Sequence, residues 1–148
     1  MFKMVKKILV AEHNPAVMTM IVDYLKSHFK AIKVETARSS EELLKKSISA
    51  ELLGKPYAFI FTDECFVLGM SPLDAVGIYR GFEQSYRRFG YGGDSAVPIY
   101  IHTNSDDGEF VSLCFERGID GFITRGPKET FLGLDQILKS YFKPKTQK

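Results

Sequence analysis

The 148-residue sequence has no tryptophan, only two cysteines, and no apolar run that approaches the length of a membrane-spanning helix. Cys65 and Cys114 lie far apart, without the spacing of zinc ligands, and are too few for a disulfide-stabilised scaffold. The first residues lack the apolar segment and the cleavage site of a secretion signal. We therefore expect a cytoplasmic protein without a membrane segment.

The net charge is also small, because 20 basic and 18 acidic residues leave a formal charge of only +2. So small an excess does not favour binding to nucleic acid or to a membrane surface. The apolar content of 45% and the charged content of 26% are ordinary for a globular protein. The length predicts one domain, which we place at residues 1–142, followed by a flexible tail at residues 143–148.

A short apolar run at residues 57–63 predicts a strand that is covered on both faces, since it is too short for a buried helix. Four more runs predict strands, at residues 6–11, 32–37, 97–103 and 121–124. Apolar residues at helical spacing predict five helices, at about residues 15–29, 39–53, 73–89, 105–117 and 127–142. Strands that alternate with helices predict an α/β fold, with one parallel sheet and helices on both of its faces.

Capping residues support several of these helix boundaries. Asn14 and Pro15 predict the start of the first helix, because asparagine caps free amides and proline lacks one. Ser39, followed three residues later by a glutamate, predicts a capping box at the second helix. Asn104 or Ser105 is the predicted cap of the fourth helix.

Polar side chains lie where the predicted strands end. Glu12 and His13 follow the first strand, Asp63 ends the third and Thr103 ends the fourth. Ligands of parallel α/β sheets bind beyond the carboxyl ends of the strands. Asp63 is therefore placed either for chemistry or for holding a metal, although a solvated aspartate in a turn is the alternative. His102 precedes Thr103, so strand alternation predicts that it faces away from this site.

Taken together, these strand ends resemble the receiver (response-regulator) domain of bacterial two-component signalling. Residues 8–15 resemble the first strand of that family, which leads into an acidic pair, and residues 59–63 resemble the strand with the phosphoacceptor aspartate. Residues 97–103 and 118–125 resemble the last two strands, of which the final one runs into a lysine. The resemblance covers essentially the whole chain and implies a flavodoxin-like sheet with the order 2-1-3-4-5.

The resemblance implies that Asp63 accepts a phosphoryl group from a histidine kinase or a phosphotransfer protein, with Mg²⁺ as cofactor. It implies three phosphoryl-binding or switch residues, namely Thr103, Arg125 and Phe122. It implies four metal ligands, which are the side chains of Glu12, His13 and Asp63 and the backbone carbonyl of Cys65. The output would be a protein partner, or a second copy of the chain, bound through the fourth helix, fifth strand and fifth helix, and not DNA.

The sequence departs from the family at this implied site. His13 stands where the second acidic residue is expected, and an imidazole is a poor ligand for Mg²⁺ but suits Zn²⁺, Ni²⁺ or Cu²⁺. Arg125 replaces the lysine, which changes both reach and geometry, and Gly126 separates it from Pro127. We expect weakened Mg²⁺ binding. We also expect a buried or half-buried thiol at Cys65 and an exposed insertion near residues 86–95.

Three functions remain open at this point. The first is a stand-alone receiver that is phosphorylated on Asp63. The second is a pseudo-receiver, a binding module that has the fold but is not phosphorylated. The third is an enzyme that uses a transition metal held by Glu12, His13 and Asp63.

Overall fold

The computed structural model describes residues 5–91 and 95–145. Within them, five strands alternate with five helices, as predicted. The strands are β1 Lys6–Ala11, β2 Ile32–Ala37, β3 Phe59–Asp63, β4 Ile99–Thr103 and β5 Gly121–Thr124. The helices are α1 Pro15–His28, α2 Ser40–Leu52, α3 Pro72–Arg88, α4 Gly108–Glu116 and α5 Glu129–Leu138.

The strands form one parallel sheet in the predicted order β2-β1-β3-β4-β5. All five residues of β3, the middle strand, are buried. Ala11 of β1 pairs with Thr62, and Asp63 pairs with His102 of β4. The carboxyl ends of β1, β3 and β4 therefore lie side by side, which brings their polar residues to one edge of the sheet.

Alternate residues of the strands contribute to two hydrophobic clusters, one on each face of the sheet. Leu9, Ile60 and Ile101 belong to the cluster that includes buried residues of α2, α3 and α4. Phe59 and Phe61 belong to the cluster that includes buried residues of α1 and α5. Each large apolar side chain that is fully buried stabilises the fold by roughly 1.5–3 kcal/mol. This rigid sheet is the platform on which the site residues are held.

The two helices nearest the carboxyl terminus differ from the prediction. Asp107, and not Asn104 or Ser105, caps α4, because the Thr103 hydroxyl accepts the backbone N–H of Ser105 at 2.9 Å and turns the chain before the helix begins. Helix α5 is shorter than the predicted 127–142, since it has no side-chain cap at its start and ends at Leu138. Phe142 lies beyond this end and is buried in the α1–α5 cluster.

Residues 143–145 run beside the end of α1, where the backbone N–H of Lys145 donates to the carbonyl of His28 at 2.7 Å. Residues 146–148 of the predicted tail, and residues 92–94 of the predicted loop, lie outside the described residues. The division into a domain at residues 1–142 and a tail stays a prediction. None of the described helices combines the length and the hydropathy that spanning a bilayer requires.

A buried group of charged side chains, which we call the α2–α3 ionic cluster, consists of Glu51, Tyr79, Arg80, Glu83 and Arg87. Arg87 donates to Glu51 at 2.8 Å, and the Tyr79 hydroxyl donates to the same carboxylate at 2.5 Å. Arg80 donates to Glu83 at 2.8 Å. Glu83 also accepts the backbone N–H of residue 97, just before β4, at 2.9 Å. The cluster therefore lies at the amino end of β4, away from the polar residues at the carboxyl ends.

Candidate functional site

The candidate site is built by the residues at or just beyond the carboxyl ends of three strands. Glu12 follows β1, Asp63 is the last residue of β3 and Arg125 follows β5. The side chains of Glu12 and Asp63 are each 1% exposed, whereas that of Arg125 is 28% exposed. The two carboxylates therefore form the floor of the site, and the arginine lies at its rim.

Both carboxylate oxygens of Asp63 have partners within the chain. Its Oδ2 lies 2.5 Å from Nδ1 of His13. Its Oδ1 accepts a hydrogen bond from the guanidinium of Arg125 and another, at 2.8 Å, from the backbone N–H of Glu64. The predicted acid and its predicted cation are thus in direct contact, and His13 completes the arrangement from the exposed side.

Glu12 lies beside Asp63 and is surrounded by nitrogen atoms. Its Oε2 accepts the backbone N–H of Asn14 at 3.2 Å and lies 3.6 Å from Nδ1 of His13. Its Oε1 lies 3.6 Å from Nη2 of Arg125 and 3.8 Å from Nδ1 of His102. The guanidinium of Arg125 therefore bridges the two buried carboxylates.

These surroundings move the pKa values of the two acids in opposite directions. Burial and the nearby charge of Glu12 raise the pKa of Asp63, against the opposing effects of His13 and Arg125. Burial works to raise the pKa of Glu12 as well, but His102, the backbone of Asn14 and the charge of Arg125 together lower it. Glu12 is thus the acid that holds the negative charge more firmly, and Asp63 is the more basic of the two.

The Thr103 hydroxyl contacts a residue that the sequence did not indicate, and its phosphoryl-binding role stays a prediction. It donates to the carboxylate of Glu64 and accepts the backbone N–H of Ser105 at 2.9 Å. Glu64 was not predicted as a site residue. It follows the last residue of β3, and nothing in the local pattern indicates that its side chain extends to the end of β4. A hydroxyl, two acids and a guanidinium nevertheless meet at one edge of the sheet.

Comparison with known proteins identifies the fold. No protein-family model matches the chain, and no curated protein matches it in sequence. Solved structures do match. One is the co-crystal of the Saccharomyces cerevisiae histidine phosphotransfer protein Ypd1 with the receiver domain of the response regulator Ssk1, with a TM-score of 0.75 and 17% identity over 93% of this chain and 88% of that chain. The chain has the fold of a receiver domain.

Two bacterial structures give the same result. The chemotaxis response regulator CheY4 of Vibrio cholerae matches with a TM-score of 0.68 and 21% identity, over 90% of this chain and 98% of that chain. The receiver domain of the sensor histidine kinase PA1611 of Pseudomonas aeruginosa matches with a TM-score of 0.69 and 20% identity, over 93% of this chain and 97% of that chain. That structure has a magnesium ion coordinated in its active-site cleft.

Phe122, the predicted switch residue, is half-buried. Its ring contacts that of Phe115 edge to face, with 5.4 Å between the centroids, and packs against the cluster on the α2–α4 side of the sheet. Phe115 is itself 52% exposed. The pair connects the interior of the domain with its surface at α4, but the switch role of Phe122 stays a prediction.

Two other residues lie differently from the sequence-based expectation. Cys65 is exposed and not buried, because β3 ends at Asp63 and the chain leaves the core directly afterwards. His102 was expected to face away from the site, yet its Nδ1 reaches to 3.8 Å from Glu12. Its Nε2 lies 2.8 Å from the Thr130 hydroxyl on α5. The contact was missed because alternation was judged relative to Thr103 on the same strand, whereas Glu12 follows β1.

The residues at this site do not fit Mg²⁺ well. Glu12, His13 and Asp63 each offer one ligand atom, and the three atoms lie within 4.8 Å of one another. Mg²⁺ prefers an octahedron of oxygen atoms, and here one of the three donors is an imidazole nitrogen. Arg125 already supplies a positive charge to both carboxylates. The role of the Cys65 carbonyl as a further ligand stays a prediction.

Proposed function

We propose that this chain is a receiver of phosphorelay signalling that accepts a phosphoryl group on Asp63 and acts through protein contacts. The observation that carries the proposal is the contact between the buried Asp63 carboxylate and the Arg125 guanidinium at the carboxyl edge of the sheet. The similarity to a receiver that was crystallised with a histidine phosphotransfer protein supports such a protein, or a histidine kinase, as the phosphoryl donor.

The side chains supply the elements that phosphoryl transfer needs. A carboxylate oxygen of Asp63 forms the new bond to phosphorus while the bond between phosphorus and the donor's histidine nitrogen breaks. The raised pKa of Asp63 makes its oxygen the better nucleophile of the two acids. Arg125 neutralises the charge on the phosphoryl oxygens, which is the main task of a protein in this reaction. The Thr103 hydroxyl, once released from Glu64, donates to one of them.

The output surface that we propose is the face formed by α4, β5 and α5. Phe122 on β5 touches Phe115, whose exposed ring lies on α4, and Leu132 on α5 is 65% exposed. A change at Thr103 is transmitted to this surface through β5, because Thr103 pairs with Thr124. The occupant is a partner protein or a second copy of the receiver.

The direct test is phosphorylation with a small phosphodonor such as acetyl phosphate, measured by intact-protein mass and by peptide mapping. We expect one phosphoryl group on Asp63, and none on Asp63→Asn. Asp74→Asn is the matched control, because Asp74 is an exposed aspartate at the start of α3. A wild-type protein that remains unmodified, with Mg²⁺, Mn²⁺ and Zn²⁺ each tried, would refute the proposal.

A phosphorylation-independent pseudo-receiver is the second candidate, and three contacts favour it. His13 and Arg125 occupy both oxygens of Asp63, and Glu64 occupies the Thr103 hydroxyl. The groups that would hold a phosphoryl group are therefore already paired within the chain. Beryllofluoride, a phosphoryl mimic, distinguishes the candidates: a pseudo-receiver keeps the amide resonances of Thr103 and Phe122 unmoved, and a phosphorylatable receiver shifts them.

A further inference from the structure

We infer that Glu12, His13 and Asp63 form a site for a divalent ion that accepts nitrogen ligands, such as Zn²⁺ or Co²⁺, in preference to Mg²⁺. The inference deepens the proposed function and rests on it, because the ion would bind at the site around Asp63, the proposed phosphoacceptor. Metal binding is measured on the unphosphorylated protein, so a failure of metal binding can be told apart from a failure of phosphorylation.

One of the distances between the ligand atoms is already close to the spacing of zinc ligands. Ligands about 2.1 Å from a tetrahedral Zn²⁺ lie about 3.4 Å from one another, and Nδ1 of His13 lies 3.6 Å from Oε2 of Glu12. The same nitrogen lies only 2.5 Å from Oδ2 of Asp63, so these two atoms would separate by about 1 Å on binding one ion. One imidazole with two carboxylates is also a donor set that zinc accepts.

A second observation comes from His102, behind the site. Its side chain is 2% exposed, and its Nδ1 has no hydrogen-bond partner among the described residues. This nitrogen lies 3.8 Å from Oε1 of Glu12, and the other ring nitrogen is held at 2.8 Å by Thr130. Carboxylates that bind a metal are commonly oriented by an outer hydrogen bond. His102 is placed to orient Glu12 in this way once the carboxylate turns toward an ion.

Arg125 is the internal competitor of the metal. Its Nη2 contacts Oδ1 of Asp63 and lies 3.6 Å from Oε1 of Glu12, which are the two oxygens that do not face His13. Its positive charge therefore neutralises both carboxylates and repels a cation bound at their other oxygens. This repulsion lowers the affinity for every divalent metal without changing the preference among them.

The preference can be measured by calorimetric titration of the folded protein with Zn²⁺ and with Mg²⁺. We expect Zn²⁺ to bind at least about tenfold more tightly, because imidazole favours zinc and Mg²⁺ requires oxygen ligands. The chain has only three histidines, so ¹⁵N labelling of their rings identifies the ligand directly. Zn²⁺ should shift Nδ1 of His13 and leave the His28 ring unmoved. Equal or tighter Mg²⁺ binding, or Zn²⁺ binding without a shift of the His13 ring, would overturn the inference.

Substitutions separate the contributions. His13→Asp supplies a third carboxylate, and we expect it to abolish or reverse the preference for Zn²⁺. Arg125→Gln should strengthen the binding of both metals. His102→Gln should weaken Zn²⁺ binding by about 10–100-fold while the His13 ring still shifts. His28→Gln, on the exposed part of α1, is the matched control and should change nothing. A preference for Zn²⁺ that survives in His13→Asp would contradict the proposed ligand set.

Discussion

The protein has two buried groups of charged side chains, at opposite ends of the strands, and they differ in how far they are enclosed. In the α2–α3 ionic cluster, Glu51 and Glu83 are almost fully buried, and the side chains of both arginines that bind them are at most 13% exposed. In the candidate site the two acids are equally buried, but their partners His13 and Arg125 are partly exposed. The partners at the site therefore reach solvent, whereas those in the cluster are nearly enclosed.

This difference separates a structural role from a functional one. A buried ion pair stabilises a fold little compared with an apolar replacement, but removing one partner is costly because the other remains buried and unpaired. In the α2–α3 ionic cluster, solvent cannot reach a charge that has lost its partner, so we expect the full cost in stability. At the candidate site, His13 or Arg125 can be solvated if it loses its partner, so we expect a smaller cost. A ligand or a phosphoryl group at Asp63 would require the same movement of these side chains. We therefore expect substitutions in the two groups to affect stability very differently.

The largest effect should follow from Glu83→Ala. The substitution leaves Arg80, Arg87 and the backbone N–H of Val97 without their common acceptor. We expect a loss of about 3–5 kcal/mol in the free energy of unfolding, measured by urea titration. Glu116→Ala, at an exposed position of α4, is the control and should stay within about 0.5 kcal/mol of wild type. A loss at Glu83 no larger than that of the control would remove the distinction.

Tyr79→Phe should have an intermediate effect. The hydroxyl donates to Glu51 at 2.5 Å in a fully buried setting, and Oε1 of Glu51 already lacks a partner among the described residues. We expect a loss of about 1–3 kcal/mol, measured in the same way. Tyr91→Phe removes a hydroxyl from an exposed ring and should be nearly silent. Equal losses in the two variants would show that burial of the hydroxyl is not the cause.

Tyr57 is buried, but its partner Glu35 has a side chain that is 27% exposed, so this pair tests whether exposure sets the size of the effect. The hydrogen bond from Tyr57, followed by the opposing effect of burial, sets the lowered pKa of Glu35. A carboxylate with a lowered pKa contributes stability above its ordinary value of 4.5, and that contribution is lost as the pH falls through the lowered value. Tyr57→Phe should therefore cost about 0.5–1.5 kcal/mol at neutral pH and less in acid. Urea titrations at the two pH values measure the difference, and a cost that does not change with pH would contradict it.

The smallest effect, and one of opposite sign, should follow from Asp63→Asn. Because burial and Glu12 raise the pKa of Asp63, the folded state disfavours its charge, and a neutral amide removes that penalty. We expect the stability to be unchanged or to rise by less than about 1 kcal/mol in urea titration. A loss comparable with that of Glu83→Ala would mean that Asp63 is a structural anchor and that the two groups are alike.

Local patterns predicted much of this fold. Asn14 caps α1 by accepting two backbone amides, as its position before Pro15 indicated. The Ser39 hydroxyl accepts the backbone N–H of Glu42 at 3.0 Å. These caps depend on residues close together in the chain, whereas the order of the five strands was implied by the family resemblance and is confirmed.

The patterns did not predict contacts between distant segments. Asp107 caps α4 in place of the expected Asn104 or Ser105, because the Thr103 hydroxyl at the end of β4 accepts the backbone N–H of Ser105. Glu64 reaches Thr103 over 39 positions, and His102 reaches Thr130 over 28. The partners within the α2–α3 ionic cluster are likewise set by how α2 packs on α3. Contacts between side chains on different helices and strands leave no repeating pattern in the sequence from which they could be predicted.

The sequence by itself determined the class of fold, the strand on which Asp63 lies, and the presence of a histidine where an acid was expected. Those properties follow from apolar periodicity and residue chemistry, which act over a few positions. The tertiary structure alone decided which groups face Asp63: His13 and Arg125 on its two oxygens, and Glu64 on the neighbouring hydroxyl. These partners come from the ends of different strands, and those ends become neighbours only when the sheet has formed.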